Sequence, residues 1–220
     1  AACWWQVALI PKAVSQPPCP ITWGPTAQIS NTTNSAFSPK LVVAGDTVHM
    51  VYHAGAVYYR RSTNGGQTWR DQVELVSADS MSSNLGNPPL SVSGQIVSIV
   101  WANRTASSNK IRRSIDGGVT WLEPQVLVHN DPLFPLRLPS IAASGEYAYV
   151  TMTRFVSGRL QYFLTISTDR GENWDSVHQV TFVPESHGLG GIQATVRAVH
   201  FVFEREMQPS GKEIAYMSST

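Results

Sequence analysis

Arginine is the residue type in this chain with the most specific chemistry to offer. Its planar fork holds a carboxylate through two parallel charge-assisted bonds. Arg104, Arg137 and Arg154 each lie at or beside a turn between extended segments, where a side chain can reach solvent and ligand. Asp131 and Glu185 are the loop acids that could give or take a proton. Each of these residues also has a plain reading, as an ion-paired or solvated loop residue. His53, His129 and His187 fall in loops too, but no pair has a metal-binding spacing such as His-Glu-x-x-His, so no metal site is expected. No glycine-rich loop joins a strand to a helix, so neither a nucleotide nor any other cofactor is expected.

Composition narrows the partners. The 220 residues carry 16 Lys+Arg against 15 Asp+Glu, a net charge of +1 with only 14% charged. That balance excludes the basic footprint of a nucleic-acid binder. No stretch approaches the run of about 20 apolar residues that a membrane span needs. Helical periodicity is nearly absent, whereas 16 Gly and 14 Pro punctuate short apolar runs, the composition of an all-β chain.

The elements that must position the arginines come from a repeat. Ser62-Thr63-Asn64-Gly65-Gly66-Gln67-Thr68-Trp69, Ser114-Ile115-Asp116-Gly117-Gly118-Val119-Thr120-Trp121 and Ser167-Thr168-Asp169-Arg170-Gly171-Glu172-Asn173-Trp174 recur at intervals of 52 and 53 residues. A fourth copy begins at Ser219-Thr220, and its end stands at Thr22-Trp23 at the other terminus. Each unit opens with a proline (Pro39, Pro89, Pro139), turns at a glycine (Gly45, Gly94, Gly145), then runs into a strand apolar on both faces. Four antiparallel strands per unit of about 50 residues make a propeller blade. The expected fold is therefore all-β: a small β-propeller of four blades over residues 20–220, the last closed by strands from both termini, with 1–19 as an N-terminal extension. The other arrangement is a larger ring completed by two chains, a homodimer, or by a lost segment.

The pattern Ser-x-Asp-x-Gly-x-Thr-Trp resembles the Asp-box, or BNR repeat, of sialidases and many exported β-propellers. Ser114–Trp121 matches it closely, Ser167–Trp174 well, and the first copy has Asn64 for Asp. In that family the box is a structural hairpin at the blade periphery. The active site lies on the opposite face, among the links from fourth to first strands and from second to third. The resemblance implies a carboxylate clamp of arginines, an Asp acid/base and a Tyr–Glu nucleophile pair there. Arg137-Leu138-Pro139 is similar to the Arg-Ile-Pro motif that precedes a first strand, but stands in the third unit rather than near the N-terminus. Arg104 and Arg154 would share its face. Tyr216 and Glu213, three residues apart on a strand, point to opposite faces and cannot be the nucleophile pair.

The resulting expectation is a sialidase-like propeller that binds a glycan or another extracellular ligand at its loop face without catalysis. An exo-sialidase or related glycoside hydrolase, and a protein-binding scaffold, are the alternatives. Cys3 and Cys19 could close a disulfide in an oxidising compartment, or Cys3 could be the lipidated residue of a bacterial lipoprotein. Either places the protein outside the cell or on its surface.

Overall fold

The computed structural model describes residues 24–77, 89–103, 108–129, 137–182, 186–196, 198–206 and 211–219. Among them every regular element is a strand. The first antiparallel sheet comprises β1 (Phe37–Ala44), β2 (Thr47–His53), β3 (Val57–Ser62) and β4 (Val73–Val76). The second holds β5 (Leu90–Ser93), β6 (Ile96–Ala102), β7 (Ser108–Ser114) and β8 (Gln125–His129). The third holds β9 (Arg137–Ser144), β10 (Tyr147–Val156), β11 (Arg159–Ser167) and β12 (His178–Gln179). The fourth has three strands, β13 (His187–Ala194), β14 (Val199–Glu206) and β15 (Lys212–Ser218). Strand order follows chain order in each sheet, the up-and-down arrangement of a propeller blade.

Local sequence explains the turns. Two-residue turns join the first two strands of the first three blades, closed by the pairs Ala44↔Thr47, Ser93↔Ile96 and Ser144↔Tyr147. Gly45, Gly94 and Gly145 take φ of 60°, 58° and 63°, which a tight hairpin requires and glycine adopts without strain. The second strands are apolar on both faces because both faces are covered. Val97, Ile99 and Trp101 meet Val51, Tyr59 and Leu75 of blade 1, while Val100 meets Ile141, Val150 and Met152 of blade 3. Tyr149 and Tyr162 of blade 3 meet Phe201 and Phe203 of blade 4. The four innermost strands surround a central cavity of about 600 Å³. This is the expected four-bladed, all-β propeller.

The repeat hairpins are self-contained. Ser114 Oγ accepts the Gly118 N–H at 2.8 Å and donates to Asp116 Oδ1 at 2.8 Å, and Asp116 in turn accepts the Thr120 N–H. Ser167 and Asp169 repeat the pattern. Asn64 keeps it by reversing one bond, since its Nδ2 donates to Thr68 Oγ1 where Asp116 accepts from Thr120 Oγ1. Adjacent arginines then tie blades together. Arg61 and Arg113 donate forward to the Gly117 and Arg170 carbonyls of the next hairpin. Arg60 and Arg112 donate backward to the Ile29 and Leu75 carbonyls.

Ile29 thus holds the place, relative to blade 1, that outer strand β4 holds relative to blade 2. That placement fits an outer strand supplied by the N-terminal segment. Residues 24–30 nonetheless form no strand, and they make no ladder with β15 among the described residues. Residues 20–23, the extension 1–19 with Cys3 and Cys19, and Thr220 lie outside the described residues.

Candidate functional site

Antiparallel alternation brings the starts of the first strands and the ends of the second strands to one face. There Phe37 pairs with His53, Arg137 with Thr153 and His187 with Arg205. Phe37, Arg137 and His187 are thus register equivalents on blades 1, 3 and 4. Each pair lies beyond a register shift in the ladder. In blades 1 and 3 the shift is built on Ser38 and Leu138, with left-handed φ of 53° and 48°. Both precede a proline, a position biased toward extended backbone, so each carries local strain at the channel mouth.

The charges of this face are mostly compensated. Arg205 is ion-paired with Glu213, Lys212 with Glu204 at 2.8 Å, and Arg159 with Glu206 at 4.0 Å. Arg154 differs. Its guanidinium lies over the Phe163 ring, 4.4 Å from the centroid, and has neither hydrogen bond nor ion pair among the described residues. It sits at the loop end of β10, one residue from the Thr153 that pairs with Arg137. An arginine stacked on one side and unneutralised at its edge is free to take a carboxylate or another anion.

Exposed apolar side chains share this face. Phe155, Phe37 and Leu138 are exposed on this face, and Phe182 on the link between β12 and β13. Phe37 packs against His53 with ring centroids 4.5 Å apart. His53 Nδ1 is buried without a partner, and burial pushes the imidazole pKa down. The sequence puts His53 in a second-to-third-strand link of this face without a metal-binding partner, and marks none of these phenylalanines as a candidate. An aromatic just before a polar turn, as Phe155 before Ser157-Gly158, is the available signal.

No activated phenol stands on the described surface. Tyr162 is buried, and its hydroxyl donates to the Gly188 carbonyl. Burial, helped by Glu204, pushes its pKa above the ordinary phenol value. Tyr58 does face a glutamate, Glu74 at 3.4 Å, but on the outer strands of blade 1, and burial followed by the Glu74 charge raises its pKa as well. Tyr216 bonds His200 at 2.8 Å, while Glu213 belongs to Arg205, so that couple is no nucleophile pair. Of the sequence candidates, Arg137 is placed by its backbone and Arg154 by its side chain. Arg104, Asp131 and Glu185 lie outside the described residues. Among the described residues no cluster of three His, Cys, Asp or Glu could hold a metal ion.

The fold is shared with carbohydrate-active propellers. The Hadza microbial sialidase Hz136 superposes with a TM-score of 0.56 at 18% identity, over 84% of this chain and 44% of that one. The α-L-arabinofuranosidase PaAbf62A from Podospora anserina gives 0.56 at 8% identity, over 84% of this chain and 73% of that one. The NanB sialidase from Streptococcus pneumoniae gives 0.52 at 12%, over 83% and 30%. The chain thus spans less than half the length of either sialidase. No protein-family model and no curated protein sequence matches it. At these identities the likeness is one of fold.

Proposed function

We propose that this is an exported propeller of the Asp-box type that binds a glycan bearing an acidic group at its loop face, without turning it over. The observation that carries the reading is the unneutralised guanidinium of Arg154, beside the register position of Arg137, on a face rimmed by exposed phenylalanines. The cation takes the acidic group, and the aromatic rims offer flat apolar surface to a sugar ring. The described acids near the mouth, Glu204, Glu206 and Glu213, are all ion-paired. Burial raises the pKa of the Tyr58 and Tyr162 phenols. Glycosidic cleavage needs a free acid and an activated nucleophile or base, and neither stands among the described residues of this face. The fold shared with sialidases and an arabinofuranosidase supports a glycan-directed role.

The test is a glycan array read alongside hydrolysis of a fluorogenic sialoside across pH 4 to 8. Expected are retention of acidic over neutral glycans, no turnover, and binding about ten- to a hundredfold weaker in Arg154→Ala, the loss of one charged hydrogen-bonding group. Turnover that disappears in Arg137→Ala would establish the hydrolase reading instead. Retention of proteins but no glycan would establish the scaffold reading.

A further inference from the structure

The cavity enclosed by the four innermost strands differs in chemistry from the mouth above it. Its walls are largely aliphatic: Val42, Leu90, Val92, Ile141 and Ile192 all line it. Leu41, Leu90, Ile141 and Ile192 stand at one register level of the four blades, paired with Met50, Ile99, Val150 and Phe201. Leu90, Ile141 and Ile192 are buried between blades, whereas Leu41 lines the cavity and is 52% exposed. An aliphatic side chain in the wall is thus left open to whatever enters.

Among the described residues that line this cavity, one is charged. Lys40 is exposed there, with neither hydrogen bond nor ion pair, and no acid shares the lining with it. Its register level holds Pro89, Ser140 and Gly191 on the other blades, so the repeat itself demands no cation. Those three side chains are compact and leave the level open. The register shift built on Ser38 immediately precedes Lys40, and a bulge of this kind re-aims the side chains beside it. Gln193, level with Val42, also lines the cavity exposed and without a hydrogen bond. A cation between low-dielectric walls draws an anion more strongly than the same cation in open water.

We propose that the central channel is a second binding site, for a small organic carboxylate with an apolar body. Lys40 takes the carboxylate, the Gln193 amide is a further donor, and Leu41 with the aliphatic wall covers the hydrocarbon. A concave, mainly apolar site with a few polar groups is the usual build of a small-molecule pocket, and about 600 Å³ is ample for such a ligand. The single positive charge selects an acid over a neutral or basic analogue of the same shape. Lys40 stands three residues along β1 from Phe37 at the mouth, about 10 Å of extended chain. The site therefore does not depend on glycan binding at Arg154.

The test titrates hexanoate, its neutral isostere hexanamide and inorganic sulfate into the full chain by calorimetry. Wild type should bind hexanoate saturably, and Lys40→Met should bind it about ten- to a hundredfold more weakly, the loss of one charged hydrogen-bonding group. Lys40→Arg and Arg154→Ala should both keep the affinity, and hexanamide should bind as weakly to wild type as hexanoate does to Lys40→Met. Should Lys40→Met fail to fold, wild-type amide shifts decide alone: hexanoate should move those of 40–42 and 191–193 and leave those of 154–156 in place. Equal affinity of wild type and Lys40→Met, or no saturable binding of hexanoate at millimolar concentration, would overturn the proposal. Loss of binding in Arg154→Ala but not in Lys40→Met would overturn it by moving the carboxylate to the mouth. Sulfate bound as tightly as hexanoate would overturn it in favour of a bare anion hole.

Discussion

Gly66, Gly118 and Gly171 occupy the same position of three equivalent hairpins, with φ of 88°, 82° and 83°, yet alanine should cost very different amounts at the first two. Left-handed backbone alone costs a non-glycine residue about 1–2 kcal/mol. At Gly66 a Cβ meets nothing within 4 Å, so the whole effect is that backbone term. At Gly118 the Cβ would overlap the Tyr59 hydroxyl and stand 2.6 Å from Cζ. Tyr59 cannot easily yield. It is 1% exposed, its hydroxyl is hydrogen-bonded to His49 Nδ1 at 2.7 Å, and its ring meets Trp121 edge-on at 5.0 Å. Displacing it adds an overpacking cost of about 1–3 kcal/mol, and loss of the hydroxyl bond about 1 kcal/mol. Gly118→Ala should therefore destabilise by about 3–6 kcal/mol, and Gly66→Ala by about 1–2 kcal/mol. Urea unfolding with a common m-value reads the difference directly. Equal costs would refute the claim that the second hairpin is clamped by the preceding blade while the first stands open.

Trp121→Ala, which strips a half-buried ring from the seam between blades 1 and 2, should cost about 3 kcal/mol by thermal unfolding and leave glycan retention in the folded fraction unchanged. Asp169 is held at about 2 by the Asn173 amide, the Asn173 side chain and Ser167; Asp116 also stands at about 2, because partial burial is outweighed by bonds from Thr120, Ser114 and Val119. Their folded pKa lies below the unfolded value of about 3.9, so their stabilisation is present above pH 4 and lost as pH falls toward 2. Asp116→Asn, which copies Asn64 of the first hairpin, should cost under about 1 kcal/mol at pH 7 and flatten the acid limb of the urea midpoint. His49 is pushed below its ordinary pKa by burial and then by Arg61. The unfolded chain therefore takes up a proton near pH 6.5 that the folded chain refuses, and stability should begin to fall there as pH drops. His49→Gln should shrink that earlier step in the same titration, leaving the part that the buried His53 contributes.

The propeller was legible because its constraints are local and repeated. A Gly-Gly hairpin whose serine and aspartate close on their own backbone needs no partner elsewhere, so it shows itself as sequence at each copy. Second strands apolar on both faces likewise announced burial on both sides. The mouth was less legible because it is assembled from non-repeating residues at repeating positions. Arg137 was found because a proline marks its register, but nothing in the sequence says that Leu138 takes a left-handed φ before that proline. Nor does it distinguish Arg154, left without an acid among the described residues, from Arg159 and Arg205, which have Glu206 and Glu213. Those pairings are set across strands whose partners lie outside the local pattern.

Isothermal titration of a sialylated oligosaccharide, set against its desialylated counterpart, into wild type and Arg154→Ala tests the central claim most directly. The account predicts saturable binding of the acidic sugar by wild type, weakened about ten- to a hundredfold in Arg154→Ala at unchanged melting temperature, with little response to the neutral sugar. Equal affinity of the two proteins for the acidic glycan, or no glycan binding by either, would contradict it.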